Sequence, residues 1–155
     1  MRRQLSKNDK EAINAALATR FGVEEFLQKK QPAELVEEDG LKYITIEGVP
    51  TLFYGADGSV YPTLKLLLKH QLLPAIPVDM GAVKFVTSGA DVMRPGIKAI
   101  DVTLKKDQLV CVVDEKHNKP LAVGIMLMSG EDATKATSGK TVKNVHWIGD
   151  KMWQK

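Results

Sequence analysis

The stretch from Val78 to Ile100, VDMGAVKFVTSGADVMRPGIKAI, constrains the fold more than any other part of the chain, because glycine and proline punctuate it densely. Gly89 and Gly96 lie where a turn requires a positive φ or where a second backbone approaches closely. Pro95 holds φ at about −65° and cannot donate to a sheet. The pattern predicts a strand, a short turn and a second strand beginning about Ile97, within a small β-barrel.

Positive charges around this turn indicate a surface suited to an RNA backbone. Lys84, Arg94 and Lys98 flank the glycines, and a glycine-walled turn leaves backbone N–H and C=O groups accessible. The alternative is a glycine-rich loop that only turns a barrel corner. These residues by themselves leave both interpretations open.

Length limits the number of domains, and the distribution of charge indicates which half of the chain binds RNA. The 155 residues suffice for one domain or two small ones. Residues 1–78 carry 10 basic and 10 acidic side chains, whereas residues 79–155 carry 12 and 9, so the whole net charge of +3 falls in the second half. The second half is therefore the expected RNA-binding half, although a local patch matters more than net charge.

The sequence also restricts the compartment. A single cysteine excludes an internal disulfide and favours a reducing compartment. No charged leader precedes a long apolar run at the amino terminus, and the apolar stretches are far shorter than the roughly 20 residues of a membrane span. We expect a soluble, cytoplasmic protein that has no membrane partner.

The first half reads as a small α/β unit that begins with helices. Ile13, Leu17 and Phe21 recur at four-residue spacing, which predicts an amphipathic helix from Lys7 to Phe21 that stops at Gly22. A second short helix is expected from residue 24 to 30, ended by Pro32.

Strands and a further helix complete this unit. The residues 42–46 and 51–54 predict two strands, and the acidic run 37–39 reads as a polar loop before the first of them. Pro62 opens a short leucine-rich helix. Pro74 and Pro77 then interrupt the chain, which places a domain boundary near Pro74.

No pattern of catalytic residues emerges. Cys111 lies in the apolar strand L-V-C-V-V, where a thiol behaves as a small hydrophobe. His70, His117 and His146 stand singly, without the short spacings of metal sites. Ser129 reads as a helix cap. We therefore expect no enzyme activity, no metal and no cofactor.

The glycine-rich stretch resembles the entry to a PUA domain, a β pseudo-barrel that binds structured RNA. The matching segments are G-A-V-K-F-V, S-G-A-D-V-M and R-P-G-I. Downstream, PLAVGIMLMS (120–129) resembles the long central strand of that family, and GKTVKNVHWIGDKMW (139–153) its closing strand and terminal turn. The resemblance implies an α+β chain with a pre-PUA α/β domain at 1–74 and a PUA domain at 75–155.

The whole chain is similar to the malignant T-cell amplified sequence family, whose relatives include ligatin and an archaeal branch of stand-alone PUA proteins. The phrase Y-P-T-L-K-L-L-L-K, the linker P-x-x-x-V-D and the ending H-W-I-G-D-K-M-W carry this similarity. In that family the amino-terminal half contacts a protein partner, and the PUA half engages tRNA on the small ribosomal subunit. The chain length favours an archaeal-type member.

The resemblance also implies an RNA face made by the first strand, the glycine turn and the last strand. Arg94 leads the polar candidates, because a guanidinium can grip a phosphate through two hydrogen bonds; a solvated turn arginine is the alternative. A packing role is the alternative for Gly124 and the favoured one for Met126 and Trp147. The matching positions are Lys84, Gly89, Ala90, Met93, Arg94, Pro95 and Gly96, with Gly124, Lys140 and Lys143 as second candidates.

Two functions stay open at this stage. The first is a non-catalytic RNA-binding protein acting in translation initiation or ribosomal subunit recycling, which binds the tRNA acceptor end or rRNA on the small subunit. The second is an RNA-targeting accessory subunit of a tRNA or rRNA modification enzyme. A purely protein-binding adaptor is a weaker third interpretation.

Overall fold

The computed structural model describes every residue from Met1 to Lys155. The chain forms two compact units, Met1–Leu66 and Leu67–Lys155. Each unit contains its own five-stranded sheet, and helices accompany both sheets. The α+β fold class expected from the sequence is confirmed.

The first unit is an antiparallel sheet with strand order β1-β2-β3-β4-β5. Its strands are β1 (Arg2–Gln4), β2 (Ala33–Glu38), β3 (Leu41–Ile46), β4 (Val49–Tyr54) and β5 (Val60–Pro62). Its helices are α1 (Lys7–Phe21) and the start of α2 (Leu64–Lys69), which crosses into the second unit.

Helix α1 has the bounds that the leucine and isoleucine spacing predicts. Ser6 caps it, with its side chain accepting from the Asp9 N–H at 3.0 Å, and the Asp9 carboxylate accepts from the Ser6 N–H at 2.8 Å. Gly22 ends the helix in the left-handed conformation (φ 68°). Ile13 and Leu17 are buried.

The expected second helix at residues 24–30 is wrong, because side chains of α1 bind the backbone of this segment. Asn14 accepts from the Leu27 N–H at 2.8 Å and donates to the Leu27 carbonyl at 2.9 Å. The Lys10 ammonium donates to the carbonyls of Lys29 (2.9 Å) and Gln31 (2.7 Å). These bonds occupy the Leu27 N–H and the carbonyls of residues 27, 29 and 31, which the hydrogen bonds of a helix would otherwise use.

The acidic run 37–39 also differs from the expected polar loop. Glu37 and Glu38 belong to β2, and Asp39 with Gly40 forms a two-residue turn to β3. Asp39 and Gly40 both have positive φ (53° and 76°), as tight hairpin turns require. The D-G pair was the available sequence signal for this hairpin.

The second unit has the sheet order β6-β8-β9-β10-β7, in which β6 and β8 are parallel and the other neighbours antiparallel. The strands are β6 (Ala75–Val78), β7 (Val92–Met93), β8 (Leu109–Asp114), β9 (Pro120–Met126) and β10 (Lys140–Trp147). The helices are α3 (Met80–Val86) and α4 (Gly130–Lys135), with a 3-10 turn at Arg94–Gly96. No helix of the chain has the length and apolar character that crossing a bilayer requires.

The strand predicted for G-A-V-K-F-V is wrong, since these residues form α3. Asp79 caps this helix by accepting from the Ala82 N–H at 2.8 Å, and Val86 turns into the core. The strand expected from Ile97 is also absent: R-P-G makes the 3-10 turn, and Ile97 forms only a single bridge with Val78. A polar cap before an apolar run outweighs the β-branched content here.

Candidate nucleic-acid interface

An open groove of about 770 Å³ lies in the second unit beside α3, and we call it the α3 groove. It is lined by α3, by the glycine turn that follows α3 (residues 87–91), by β7 and by the 3-10 turn. The first residue of β10 also contributes to the lining. The residues that line it are Asp79, Gly81, Ala82, Phe85, Val86, Gly89, Ala90, Asp91, Val92, Met93, Pro95, Gly96 and Lys140.

Most of the lining is apolar, although it faces solvent. The Phe85 side chain is 58% exposed and that of Met93 is 47% exposed. Met80, at the start of the same helix, is also exposed. Neighbouring exposed apolar side chains of this kind form a patch, which is typical of a surface that binds a partner.

Two lysines bring positive charge to this surface. Lys84 is exposed, and its ammonium lies 5.2 Å from the centroid of the Phe85 ring. Lys140 is exposed and forms an ion pair with the half-buried Asp91, 3.4 Å between Nζ and Oδ2. Such a pair contributes little to stability, so Lys140 can exchange Asp91 for a phosphate at small cost.

A buried asparagine holds the glycine turn in place. The Asn144 amide donates to the carbonyls of Val86 (2.9 Å) and Ala90 (3.1 Å) from β10. Its own N–H donates to the Asp91 carboxylate at 2.9 Å. The turn that forms one wall of the groove is thus tied to the last strand at three points.

Gly89 is required by both backbone and packing. Its φ is 96°, in the region that favours glycine, as the sequence predicted. A Cβ at this position would lie 2.8 Å from Cζ2 of Trp147. Trp147 packs against the core of the unit, which agrees with the packing role favoured for it. Gly96 does not have a positive φ, and a Cβ added there would point toward the Cβ of Ala82.

The structure brings most of the predicted RNA-face residues to the α3 groove. Lys84 lies on α3, but outside the lining. Lys143 is exposed on β10, also outside the lining. Whether any of them contacts RNA stays a prediction. Those that line the groove are Gly89, Ala90, Met93, Pro95, Gly96 and Lys140.

Arg94 and Gly124 have structural roles. The Arg94 guanidinium donates from Nε to the Ala133 carbonyl (2.6 Å) and from Nη1 to the Ile97 carbonyl (3.3 Å), so it ties the 3-10 turn to α4. Gly124 is buried, and a Cβ there would overlap Cγ1 of Val142. This burial supports the packing alternative for Gly124.

Sequence reasoning missed Phe85 and Asp91. With the strand assignment, Phe85 alternated with Val86 and had no special position. Once Asp79 is taken as a cap, Ala82 and Val86 share the face of a helix that packs on the core, and Phe85 lies beside them as an exposed side chain of the groove lining. The capping residue was thus the signal that would have found Phe85.

The buried ionisable groups His146, Asp150 and Cys111 have structural surroundings. His146 is buried, with Nδ1 2.8 Å from Asp150 Oδ2, and Asp150 also accepts from the N–H groups of Trp147 (3.0 Å) and Trp153 (2.7 Å). Burial raises the pKa of the Cys111 thiol to about 11. The structure contains no cluster of three His, Cys, Asp or Glu side chains that could hold a metal ion.

The five-stranded sheet of the second unit, its helices α3 and α4 and the α3 groove define a PUA-domain protein that also has an amino-terminal domain. The PUA domain family matches residues 74–148, and a family described as a domain of unknown function (DUF1947) matches residues 1–70. An uncharacterized protein of Methanocaldococcus jannaschii is 44% identical over 96% of this chain and 93% of its own length.

Named relatives and solved structures agree with this assignment. Malignant T-cell-amplified sequence 1 of rat is 35% identical over 97% of this chain and 88% of the relative. Translation machinery-associated protein 20 of Schizosaccharomyces pombe is 34% identical over 85% and 76%. The chain belongs to the malignant T-cell-amplified sequence family.

Solved archaeal structures are similar to this chain over nearly its whole length. A hypothetical protein of Pyrococcus horikoshii has a TM-score of 0.84 and 34% identity, over 99% of this chain and 98% of that chain. A PUA-domain protein of Aeropyrum pernix, solved as a tartrate complex, has a TM-score of 0.85 and 27% identity over 99% and 89%.

Proposed function

We propose that this protein is a non-catalytic RNA-binding protein that acts in translation, and that the α3 groove holds an unpaired RNA end. The acceptor end of a tRNA, or rRNA on the small ribosomal subunit, is the proposed ligand. The observation that carries the proposal is the solvent-exposed ring of Phe85 on the apolar lining of the groove.

The chemistry of the groove suits an unpaired nucleotide more than a duplex. Unstacked bases pack on aromatic rings, and such stacking contributes about 1–3 kcal/mol per base. Lys84 and Lys140 carry the charge that phosphates need. An unpaired 3′ end supplies both a free base and accessible phosphates.

Family membership supports the place in translation. One relative carries the name translation machinery-associated protein, and the proposed step is initiation or subunit recycling. The proposal includes a pre-PUA domain at 1–74 that also meets a protein partner, a PUA domain at 75–155, and a cytoplasmic location.

Binding of purified protein to labelled tRNA and to small ribosomal subunits tests the proposal. Titrations at two salt concentrations, with tRNA lacking its 3′ CCA as the control, separate end recognition from general attraction. We expect tight, salt-sensitive binding that requires the CCA end or the subunit. Absence of binding to either ligand would refute the proposal.

A matched pair of variants places the contact. Phe85→Ala removes the ring and should weaken RNA binding roughly tenfold to a hundredfold, the effect of one lost base stack. Val102→Ala is the control, because Val102 is also 58% exposed and lies outside the groove. Equal affinities for the two variants would move the RNA contact away from the α3 groove.

Neutralising the lysines tests the phosphate contacts. The double variant Lys84→Ala/Lys140→Ala should lower the slope of log affinity against log salt by about 0.7 per lost contact on single-stranded RNA. The alternative function predicts a different partner in a pull-down from cells of the native organism. Capture of a tRNA or rRNA modification enzyme in place of ribosomal subunits would favour it.

A further inference from the structure

The first unit contains a second cleft, of about 540 Å³, between α1 and the irregular segment that follows it. We call it the lysine cleft. Four lysines and two glutamates line it, together with one buried leucine and two amide side chains. The lining residues are Lys7, Lys10, Glu11, Asn14, Glu25, Leu27, Gln28, Lys29 and Lys30.

The wall of the lysine cleft is held by side chains of α1. Lys10 donates to the carbonyls of Lys29 and Gln31, and Asn14 binds both the N–H and the carbonyl of Leu27. An irregular segment fixed in this way keeps its outward groups in a set position. Lys10 is therefore a positioning residue for the cleft.

The other three lysines are available to a ligand. The ammonium groups of Lys7, Lys29 and Lys30 make no hydrogen bond or ion pair within the protein, and all three side chains are exposed. Lys29 and Lys30 occupy the centre of a turn closed by the Gln31 N–H on the Gln28 carbonyl (3.2 Å). Their own N–H groups have no partner in the protein.

We infer that the lysine cleft binds phosphates of an RNA backbone. Uncommitted ammonium groups beside unpaired backbone N–H groups suit phosphate oxygens. A protein ligand fits less well, because protein interfaces are depleted in lysine and enriched in aromatic, methionine and arginine side chains. The cleft lining contains none of these three kinds.

This inference rests on the proposed RNA-binding function and adds a second phosphate contact to it. The two contacts differ in kind. The α3 groove recognises an end through a base, whereas the lysine cleft attracts any phosphate chain without reading its sequence. A tRNA offers the lysine cleft a long phosphate chain, whereas a tetranucleotide ending in CCA carries few phosphates and is expected to bind mainly through its end.

The test compares Lys29→Ala/Lys30→Ala with a matched control, Lys105→Ala/Lys106→Ala, another pair of adjacent exposed lysines. With a tRNA transcript at about 0.1 M salt, we expect about tenfold weaker binding and a salt slope lowered by about 1.5 for the first variant. The control should keep the wild-type slope. Binding of the tetranucleotide should be the same for all three proteins.

The outcomes separate this inference from the proposed function. Lack of tRNA binding by the wild-type protein overturns both. Normal binding by the wild type with unchanged affinity and slope in Lys29→Ala/Lys30→Ala overturns only the lysine cleft, as does an equal loss in the control. Unchanged RNA binding together with lost capture of an acidic protein would assign the cleft to a protein partner and overturn the RNA contact.

A third variant checks the role of Lys10. Lys10→Met removes the two bonds to the Lys29 and Gln31 carbonyls. We expect the same loss of tRNA binding together with faster amide hydrogen exchange at residues 28–31. Lys29→Ala/Lys30→Ala should leave that exchange unchanged, because only side chains that make no bond are removed. Wild-type tRNA binding by Lys10→Met would contradict its positioning role.

Discussion

The α3 groove and the lysine cleft use the same construction for opposite surface chemistry. In each, an asparagine on a regular element binds the backbone of an irregular segment: Asn144 holds the turn after α3, and Asn14 holds the segment after α1. The first surface exposes Phe85 and Met93, whereas the second exposes lysines. Such an asparagine contact, which we call a clamp, fixes the conformation of the irregular segment. The ligand of each site then depends on the side chains that the clamp does not bind.

The strongest test of the groove side is at Gly89. Gly89→Ala forces a positive φ on alanine and drives its Cβ to 2.8 Å from Trp147, so we expect a loss of about 3 kcal/mol in unfolding free energy. Gly139→Ala is the control, because Gly139 has nearly the same φ (94°) with nothing within 4 Å. It should lose about 1 kcal/mol. Urea unfolding measures both, and equal losses would show that Trp147 yields to the added Cβ.

The two clamps should differ in strength. Asn144→Ala leaves the Ala90 carbonyl without its donor and the Val86 carbonyl with only the Gly89 N–H (3.0 Å), and because Asn144 is buried it should cost about 2 kcal/mol. Asn14→Ala acts at a half-buried position and should cost about 1 kcal/mol. Hydrogen exchange should accelerate at 87–91 in the first variant and at 25–31 in the second. Accelerated exchange at both segments in one variant would mean that the clamps are not independent.

Acid should destabilise the second unit through Asp150. Burial alone would raise the pKa of Asp150, but the hydrogen bond and charge of His146 and the N–H groups of Trp153 and Trp147 lower it. A lowered pKa stabilises the folded state above the ordinary carboxyl pKa of about 4, and this contribution is lost as pH falls through the folded value. Asp150→Asn should cost about 1.5 kcal/mol at pH 7 and flatten the acid limb of the stability curve.

Asp9 provides the comparison in the first unit. The Arg3 hydrogen bond, followed by those of Ser6, lowers the pKa of Asp9 to about 2. The Arg3–Asp9 pair is exposed, so Asp9→Asn should cost only about 0.5 kcal/mol at pH 7. Its contribution disappears between about pH 4 and about pH 2. Acid unfolding that responds more to Asp9→Asn than to Asp150→Asn would reverse this ranking.

The smallest stability effect is expected at Lys140. Lys140→Ala breaks the ion pair of the exposed Lys140 with Asp91 and should change the unfolding free energy by less than about 0.5 kcal/mol. The same variant should lower the salt slope of RNA binding by about 0.7. A large loss of stability with no change in slope would make Lys140 a structural residue of the turn.

The first unit shows which features the sequence carries locally. The bounds of α1 follow from the spacing of Ile13 and Leu17 and from Gly22, all within the segment itself. The segment after it did not form the expected helix, because its carbonyls are bound by Lys10 and Asn14 from a different element. Such competition depends on tertiary contacts, which local propensity does not contain.

In the candidate site, too, local features could be predicted from the sequence, whereas contacts distant along the chain could not. Gly89 could be assigned a positive φ from its turn, and most residues of the RNA face that the resemblance to PUA domains implies come together at the α3 groove. Arg94 was chosen for its chemistry, but its guanidinium is engaged by the carbonyls of Ala133 and Ile97. Ala133 is 39 positions further along the chain, and no nearby pattern indicates that contact.

The strand order of the second unit has a consequence for synthesis of the protein. β7 enters the sheet only by pairing with β10, and Asn144 and Lys140 belong to that last strand. The other elements that line the α3 groove are synthesised before β10, but their positions depend on β10. A nascent chain therefore gains a finished groove only after residues 140–147 have left the ribosomal exit tunnel.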